Sequence, residues 1–251
     1  QVGLNGYDAH TASSGEDGNS ANVALSDTST TVTVARQTLA REISGLAQIT
    51  DPGLLTSPTF AADAVGGMGA RMTNMIAALM SGFSTSVGAT GVNFSLANFL
   101  AAKAALAAAN ALDSVPLCLL HSIQMHDLIS ELATTTGGAV QFASATQGIV
   151  ASRGVGFEGN YLGVDFFSSN RVATANAGAD YAGGMFTRGA IVTAFGTPIA
   201  DDPTQQAVIA GRLLFERSRA ARTDLTAFVS HFYFGCAEGQ DLRGVAIVTD
   251  A

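Results

Sequence analysis

The chain has 251 residues, of which 47% are hydrophobic and 13% are charged, and its formal net charge is −8. Such a chain is too apolar to be disordered and is long enough to bury a sizeable core. Twenty acidic residues outnumber twelve basic ones, and Lys103 is the only lysine. This balance argues against a protein that binds nucleic acid or anionic membranes through a basic surface, and we expect no membrane association.

The first part of the chain predicts an arm, a strand and a long helix. Residues 1–27 are polar and rich in Gly and Ser, which is typical of a loose arm or of one held by a partner. The alternating β-branched residues 30–34 predict a strand, and residues 35–49 fit either its continuation or a helix. Ser57 and Pro58 provide a helix start. Apolar residues then recur every three or four positions and predict a helix over 58–83: Val65, Met68, Met72, Met75, Leu79 and Phe83.

The remaining elements predict an α+β fold. Ser95 is the expected N-cap of an alanine-rich helix over 96–112, and residues 115–120 predict a short buried strand. Ser122 is the expected cap of a third helix with an apolar face that contains Met125, Leu128, Ile129 and Leu132. From about residue 137 onward, β-rich segments alternate with Gly-rich turns, and residues 204–222 fit either a helix or a charged hairpin. This order differs from the regular alternation of strands and helices that a parallel sheet requires.

Side chains that support catalysis are sparse in the sequence. Neither the nucleophile-elbow pattern GxSxG nor the phosphate-binding pattern GxxxxGK[ST] occurs. The densest group is Cys118, His121, His126 and Asp127, which would suit a zinc site or a Cys/His pair. On a helix, however, residues five positions apart point about 140° away from each other. We therefore interpret Cys118 as a core residue and the histidines as parts of a strand-to-helix corner, and we predict no catalytic, cofactor-binding or metal site.

Other polar groups have ordinary structural interpretations. His231 lies among aromatic residues and is expected to be packed rather than catalytic, and Asp201 and Asp202 are expected in a solvated loop. Two clusters of mixed charge fit either a solvated face or ion pairs between subunits. We take their residues as candidate assembly contacts: Arg36, Arg41, Glu42, Arg212, Arg217, Arg219 and Arg222.

Four stretches together resemble the major capsid protein of tailed bacteriophages, which has the Hong Kong 97 fold. Residues 30–49 resemble the extended loop of that family, and residues 57–83, SPTFAADAVGGMGARMTNMIAALMSGF, resemble its long spine helix. Residues 93–132 resemble the helix, the strand containing LLH and the following helix of its axial domain. The closing strands are matched by YAGGMFTRGAIVTAF and HFYFGCAEGQDLRGVAIVTD. These patterns of residue type and order cover roughly residues 28–251.

The resemblance implies an α+β, Hong Kong 97-like fold with four parts. They would be an N-terminal arm at 1–29, an extended-loop segment at 30–56, the spine helix and peripheral domain at 57–92, and an axial domain at 93–251 whose strands return to the peripheral domain. The implied function is structural: many copies, as hexamers and pentamers, would form an icosahedral head shell around double-stranded DNA. The protein would be located in the virion after assembly in the host cytoplasm.

The resemblance also implies partners. These are other copies of the chain, decoration, scaffolding and portal proteins, and packaged DNA that is bound without sequence recognition; no cofactor is expected. Some members of the family crosslink subunits through a Lys–Asn isopeptide bond. Because Lys103 lies in the predicted alanine-rich helix rather than in the loop before the spine, we expect no such crosslink here.

The sequence leaves other functions open. An encapsulin-like nanocompartment has the same fold but contains protein cargo, and another phage structural protein would be a different β-rich oligomer. A metal-dependent hydrolase would use His121, His126 and a carboxylate. The contents of a purified particle separate the first alternative from a virion, and the zinc content of the purified protein tests the last.

Overall fold

The computed structural model describes residues 2–4, 27–50, 58–134, 143–144, 156–198, 206–210, 212–220 and 223–250. The chain divides into two compact units, residues 1–31 and 32–251. In the first unit, β1 (Val2–Leu4) pairs antiparallel with β2 (Asp27–Ser29). The second unit contains two sheets with helices packed against them.

The other described elements follow in chain order. The strands after β2 are β3 (Ala35–Ser44), β4 (Ser86–Val87), β5 (Leu117–Leu120), β6 (Ala143–Ser144), β7 (Phe157–Tyr161), β8 (Val164–Ser168), β9 (Ala173–Ala175), β10 (Asp180–Phe186), β11 (Ile191–Phe195), β12 (Gln206–Ala210), β13 (Leu213–Ala220), β14 (Leu225–Glu238) and β15 (Gly244–Asp250). The helices are α1 (Gly45–Thr50), α2 (Pro58–Ala78), α3 (Leu96–Ala108) and α4 (Ser122–Thr134), with 3-10 turns at Met80–Gly82, Asn176–Gly178 and Asp241–Arg243.

The first sheet has five antiparallel strands and is organised around β14. This strand is rich in aromatic and β-branched residues, which favour extended structure. β3 pairs with β14 along one edge, from Leu225 to Phe234. The opposite edge pairs with β13 and then with β11, and β12 continues the sheet beyond β13. A single long strand therefore holds the whole sheet together.

The second sheet has eight strands in the order β4-β15-β10-β5-β8-β7-β6, with β9 also paired to β10. The β4–β15 and β5–β8 pairs are parallel, and the other pairs are antiparallel. Helices α3 and α4 share a core with this sheet. At its centre, the Phe99 ring lies 5.6 Å from the Tyr161 ring and 5.4 Å from the Phe166 ring, measured between centroids. Burial of these aromatic side chains stabilises the packing of the helices on this sheet.

Helix α2 contacts both sheets. Along its length, Met68 packs on the buried Phe232 and Phe234 of β14. Beyond its C-terminus, the buried Met80 and Phe83 pack on the eight-stranded sheet in a second cluster. A helix with three glycines near its middle has weak intrinsic stability, so these two sets of tertiary contacts hold it in place.

The structure corrects one prediction near the N-terminus of the second unit and decides one alternative that the sequence left open. Residues 30–34 are not in a strand, and the strand begins at Ala35, where pairing with Phe234 of β14 begins. β-branched composition favours a strand only where a partner supplies the ladder. Residues 35–49, which fit either element, contain both: β3 is followed by the short helix α1. The predicted cap Ser57 lies outside the described residues.

The predicted helices are otherwise found, with shifted ends. The helix predicted to reach Phe83 ends at Ala78, because the chain turns there to bury Met80 and Phe83 in the other sheet, and Val65 is exposed rather than buried. Ser95 caps α3 as predicted, accepting a hydrogen bond from the Asn98 amide. This helix ends at 108 rather than 112. Asn110 has φ +51° and the Ala111 amide donates to the Leu106 carbonyl at 2.9 Å, a left-handed helix stop.

The predicted strand at 115–120 is found at Leu117–Leu120. The N-cap of α4 is His121, one residue before the predicted Ser122, and Ile129 is largely exposed. Residues 204–222, which fit either a helix or a charged hairpin in the sequence, contain the β12–β13 hairpin. The expected loop at Asp201 and Asp202 lies outside the described residues. Among the described helices, none has the length and apolar character that a membrane crossing needs.

Candidate assembly surface

Three of the predicted contact residues lie on one face of the five-stranded sheet. Arg41 on β3 and Arg217 on β13 both pair directly with Phe228 of β14. Directly paired residues on adjacent strands project to the same side. The Arg217 guanidinium lies 5.6 Å from the centroid of the Phe228 ring, and Arg41 forms an ion pair with Asp63 of α2. The side chains of Arg41 and Asp63 are both about half exposed, so their ion pair contributes little to folding stability.

The same end of the sheet has a second ion pair and an exposed apolar pair. Arg219 lies on the Arg217 face of β13, and its guanidinium is 2.9 Å from Asp224 in the β13–β14 turn. The Gly45 amide donates to the Asp224 carbonyl at 2.8 Å, which places α1 beside this turn. Leu46 and Ile49, one turn apart on α1, are 74% and 79% exposed. We call α1, the β13–β14 turn and the Arg41–Phe228–Arg217 row the distal end of the sheet.

The other predicted contacts are dispersed. Arg36 and Glu42 occupy the alternate positions of β3 and so project from the face opposite to Arg41. Arg212 lies in the β12–β13 turn, where its guanidinium is 4.1 Å from the centroid of the partly exposed Phe195 ring. Arg222 lies outside the described residues. The structure therefore brings together Arg41, Arg217 and Arg219, and separates the other three described residues from them.

His231 is buried, which confirms its interpretation as a packed residue. Its ring is buried in the five-stranded sheet, with Nδ1 3.0 Å from the Thr38 hydroxyl of β3 and Nε2 3.2 Å from a Glu216 carboxylate oxygen of β13. These two contacts tie three adjacent strands together through one side chain.

The Cys118 and histidine group does not converge on one point. Cys118 is fully buried in the core, and burial raises the pKa of its thiol. The His121 ring stacks on Tyr181 with centroids 3.6 Å apart, whereas His126 is exposed on α4. In the described part of the chain, no three Cys, His, Asp or Glu side chains are placed to hold a metal ion.

His121 instead organises the start of α4. Its Nδ1 accepts a hydrogen bond from the Ile123 amide at 3.3 Å, and its own amide donates to the Gln124 side chain at 3.0 Å. These bonds form a variant of the capping box, in which histidine replaces the usual Ser or Thr and accepts from the second rather than the third helical amide. The ring must be neutral at Nδ1 to accept, and burial lowers the pKa of His121 from its ordinary value of 6.5.

This cap predicts a specific pH dependence of stability. The pKa of His121 is lowered in the folded protein. Its contribution to the free energy of unfolding is therefore fully present above pH 6.5 and is lost as the pH falls through the pKa of the folded protein. We expect His121→Phe, which keeps a ring against Tyr181 but does not titrate, to flatten the slope of unfolding free energy between pH 7 and pH 5. Urea denaturation at a series of pH values measures this, and an unchanged slope would contradict the assignment.

Comparisons by sequence identify no relative. No protein-family model matches the chain, and a search of curated proteins finds no match. The fold, in contrast, is shared with solved structures. The capsid of Ralstonia phage GP4 matches with a TM-score of 0.64 and 13% identity, over 100% of this chain and 81% of the other.

Two further structures give similar values. The mature capsid of bacteriophage PhiM1 matches with a TM-score of 0.64 and 10% identity, over 99% of this chain and 81% of the other. The holo-SrpI encapsulin complex from Synechococcus elongatus PCC 7942 matches with a TM-score of 0.63 and 12% identity, over 90% and 76%. The chain thus has the α+β fold of phage capsid proteins, and the predicted fold is confirmed.

Proposed function

We propose that this protein is a major capsid protein that assembles, as hexamers and pentamers, into an icosahedral shell around double-stranded DNA. The observation that carries the proposal is the match of essentially the whole chain to capsid structures such as that of phage GP4. A net charge of −8 agrees with confinement of DNA rather than with its tight binding.

A second candidate is an encapsulin-like shell with protein cargo. The similarity to the SrpI encapsulin supports it, because that match has nearly the same TM-score as the capsid matches. The two candidates predict the same closed particle and differ in its contents. Nucleic acid inside the particle favours the virion shell, and a co-purifying protein inside it favours the nanocompartment.

We assign the four implied parts to structural elements as follows. α2 is the spine helix of 57–92, and β3 with α1 forms the extended-loop segment of 30–56. Residues 1–29 are the arm, and residues 93–251 supply the axial domain and the strands that return to α2. On this assignment the distal end belongs to the extended loop and the strands that support it.

We propose that the distal end is the principal contact between copies. Leu46 and Ile49 are the most exposed large apolar side chains of the described residues, and burial of each would contribute about 1.5–3 kcal/mol. The flanking Arg219–Asp224 pair and the Arg41–Phe228–Arg217 row supply polar and aromatic groups of the kind enriched at interfaces. Arg36, Glu42, Arg212 and Arg222 are secondary candidates.

Assembly tests the function directly. Size-exclusion chromatography and negative-stain electron microscopy of the purified protein should show capsomer rings, sheets or closed shells of tens of nanometres. Absorbance ratios and nuclease treatment of closed particles then identify their contents. A monomer or dimer that never assembles at high concentration would contradict the proposal.

The contact surface has its own test. We expect the double variant Leu46→Asp, Ile49→Asp to lose particle formation while its thermal unfolding as a monomer stays unchanged, because neither side chain is buried within the subunit. The matched control, Leu46→Ile with Ile49→Val, keeps an apolar surface and should assemble. Particles from the aspartate variant at the parent yield would exclude α1 as a contact.

A further inference from the structure

The sulfur-containing side chains are divided unevenly between the interior and the surface. The chain has six methionines and two cysteines, and all of them lie within the described residues. Most are buried, at no more than 5% exposure: Met68, Met80, Cys118, Met125 and Met185. The others, Met72, Met75 and Cys236, are partly exposed. Solvent therefore reaches the sulfur-containing side chains at these last positions.

The partly exposed sulfur residues all lie at one place in the fold. Each packs against the cluster that Met68 of α2 forms with Phe232 and Phe234 of β14. Met72 and Met75 follow Met68 by four and seven residues, so the three methionines lie on the face of α2 that meets the five-stranded sheet. We call these three methionines and the two phenylalanines the methionine seam.

The seam is apolar. The Phe232 and Phe234 rings are stacked with centroids 5.6 Å apart, and Leu39 of β3 and Ile76 of α2 also pack against the cluster. A thioether suits such surroundings, because it is flexible and makes favourable contacts with aromatic rings. An oxygen atom bonded to the sulfur changes this, because it needs water or a hydrogen-bond donor. A sulfoxide in the seam therefore has to turn outward, and its contacts with the sheet are lost.

A hydroperoxide is the class of oxidant that makes this change in one step. The sulfur lone pair attacks the terminal peroxide oxygen, the S–O bond forms and the O–O bond breaks. After proton transfer, the products are the sulfoxide and an alcohol, or water when the oxidant is hydrogen peroxide. Sulfur gives up two electrons and the peroxide gains them. The reaction requires no base from the protein, so contact with the oxidant determines which methionines react.

Cys236 is a poor competitor for the oxidant. A cysteine reacts with peroxide as its thiolate, and burial raises the pKa of the Cys236 thiol. The thiolate fraction at neutral pH is therefore small, whereas a thioether has no proton to lose. Oxidation at the seam is expected at Met72 and Met75 first.

We propose that Met72 and Met75 form an oxidation site, at which a hydroperoxide produces sulfoxides that weaken the attachment of α2 to the five-stranded sheet. The attachment beyond the C-terminus of the helix is protected, because Met80 is fully buried and packs with Phe83 in the other cluster. The helix loosens from one sheet and stays fixed to the other. The site acts in the single subunit and is independent of the proposed shell function.

Peptide mapping by mass spectrometry tests the selectivity of the reaction. The full-length protein is treated with hydrogen peroxide at pH 7, and the gain of one oxygen is followed at every methionine. In the folded protein we expect Met72 and Met75 to react about tenfold faster than the four buried methionines, and in concentrated urea all six should react alike. If Met125 or Met185 reacts as fast as Met72 in the folded protein, the proposal is wrong.

Thermal unfolding measures the consequence for the fold. We expect the oxidised protein to melt about 5 °C below the untreated protein, after a thiol reductant has reversed any sulfenic acid or disulfide at the cysteines. Methionine sulfoxide reductases for both sulfoxide epimers should restore the original melting temperature. An oxidised protein that melts at the parent temperature would overturn the proposal.

Leucine variants assign the effect to the seam. The double variant Met72→Leu, Met75→Leu keeps apolar side chains of similar volume but has no thioether at these positions, so peroxide should leave its melting temperature unchanged. The matched control, Met125→Leu with Met185→Leu, makes the same exchange in the core of the eight-stranded sheet and should lose the same 5 °C or so as the parent. Protection by the control pair instead of the seam pair would contradict the assignment.

Hydrogen exchange of the parent protein locates the loosening without any substitution. After oxidation we expect the amides of α2 to exchange about tenfold faster, and those of β10 and β15 in the eight-stranded sheet to exchange at the original rate. Equal acceleration in α2 and in these strands would indicate a general loss of stability, and would exclude release of the helix from one sheet.

Discussion

Replacement of Gly244 by alanine is expected to destabilise the protein by about 3 kcal/mol, at the upper end of the range for overpacked cores. A Cβ at this position would lie 2.2–2.4 Å from three atoms of the Phe83 ring. The ring is buried between the sheet and the end of α2, so it cannot move away without disrupting the cluster that anchors the helix. Urea denaturation monitored by circular dichroism measures the change.

The same substitution at Gly69 provides a matched control of opposite sign. Gly69 lies within α2, and an added Cβ meets no atom within 4 Å. Because alanine favours a helix over glycine by roughly 1 kcal/mol, Gly69→Ala is expected to stabilise the protein by about that amount. Equal effects of the two substitutions would show that the Phe83 contact does not limit the space at Gly244.

Replacement of Gln124 by leucine is also expected to have a large effect, lowering the free energy of unfolding by about 3 kcal/mol. Gln124 is fully buried on α4, and its side chain accepts from the His121 amide at 3.0 Å. It donates to the Thr249 hydroxyl at 2.7 Å and to the Tyr181 carbonyl at 3.1 Å. Leucine fills the same volume but leaves these buried groups without their partner.

Gln37 supplies the comparison for this prediction. Its side chain accepts one bond from the Arg71 guanidinium at 3.1 Å in an exposed setting between β3 and α2. Gln37→Leu should change the unfolding free energy by no more than about 0.5 kcal/mol, because solvent replaces the lost bond. If Gln124→Leu has an effect this small, the network on α4 does not stabilise the fold.

The elements that sequence predicts well are those determined by local chemistry. Ser95 is an N-cap because its hydroxyl meets the Asn98 amide three residues on, an interaction within one turn. Apolar spacing predicts the helix over 58–83, but its end at Ala78 is set by the distant Gly184 and Gly244, against which Met80 and Phe83 pack. The strand at 35–44 depends likewise on pairing with β14, about 190 residues later in the chain.

The candidate assembly surface is predictable only in part. Charge clustering identifies Arg41, Arg217 and Arg219, but spacing alone does not show that Phe228 lies between the first two. Leu46 fits a helix face with Leu39 in the sequence, a pattern that conceals its exposure on the separate helix α1. Exposed apolar residues have no local signature, because exposure depends on what the rest of the chain covers.

The length of β14 has a mechanical consequence. From Glu238, where the chain leaves for the eight-stranded sheet, to Leu225 at the distal end, the strand spans about 43 Å at 3.3 Å per residue. If the strand tilts by 5° about Glu238, Leu225 moves by about 4 Å. That displacement exceeds the length of a hydrogen bond, so a small rotation of the five-stranded sheet would change the contacts made at its distal end.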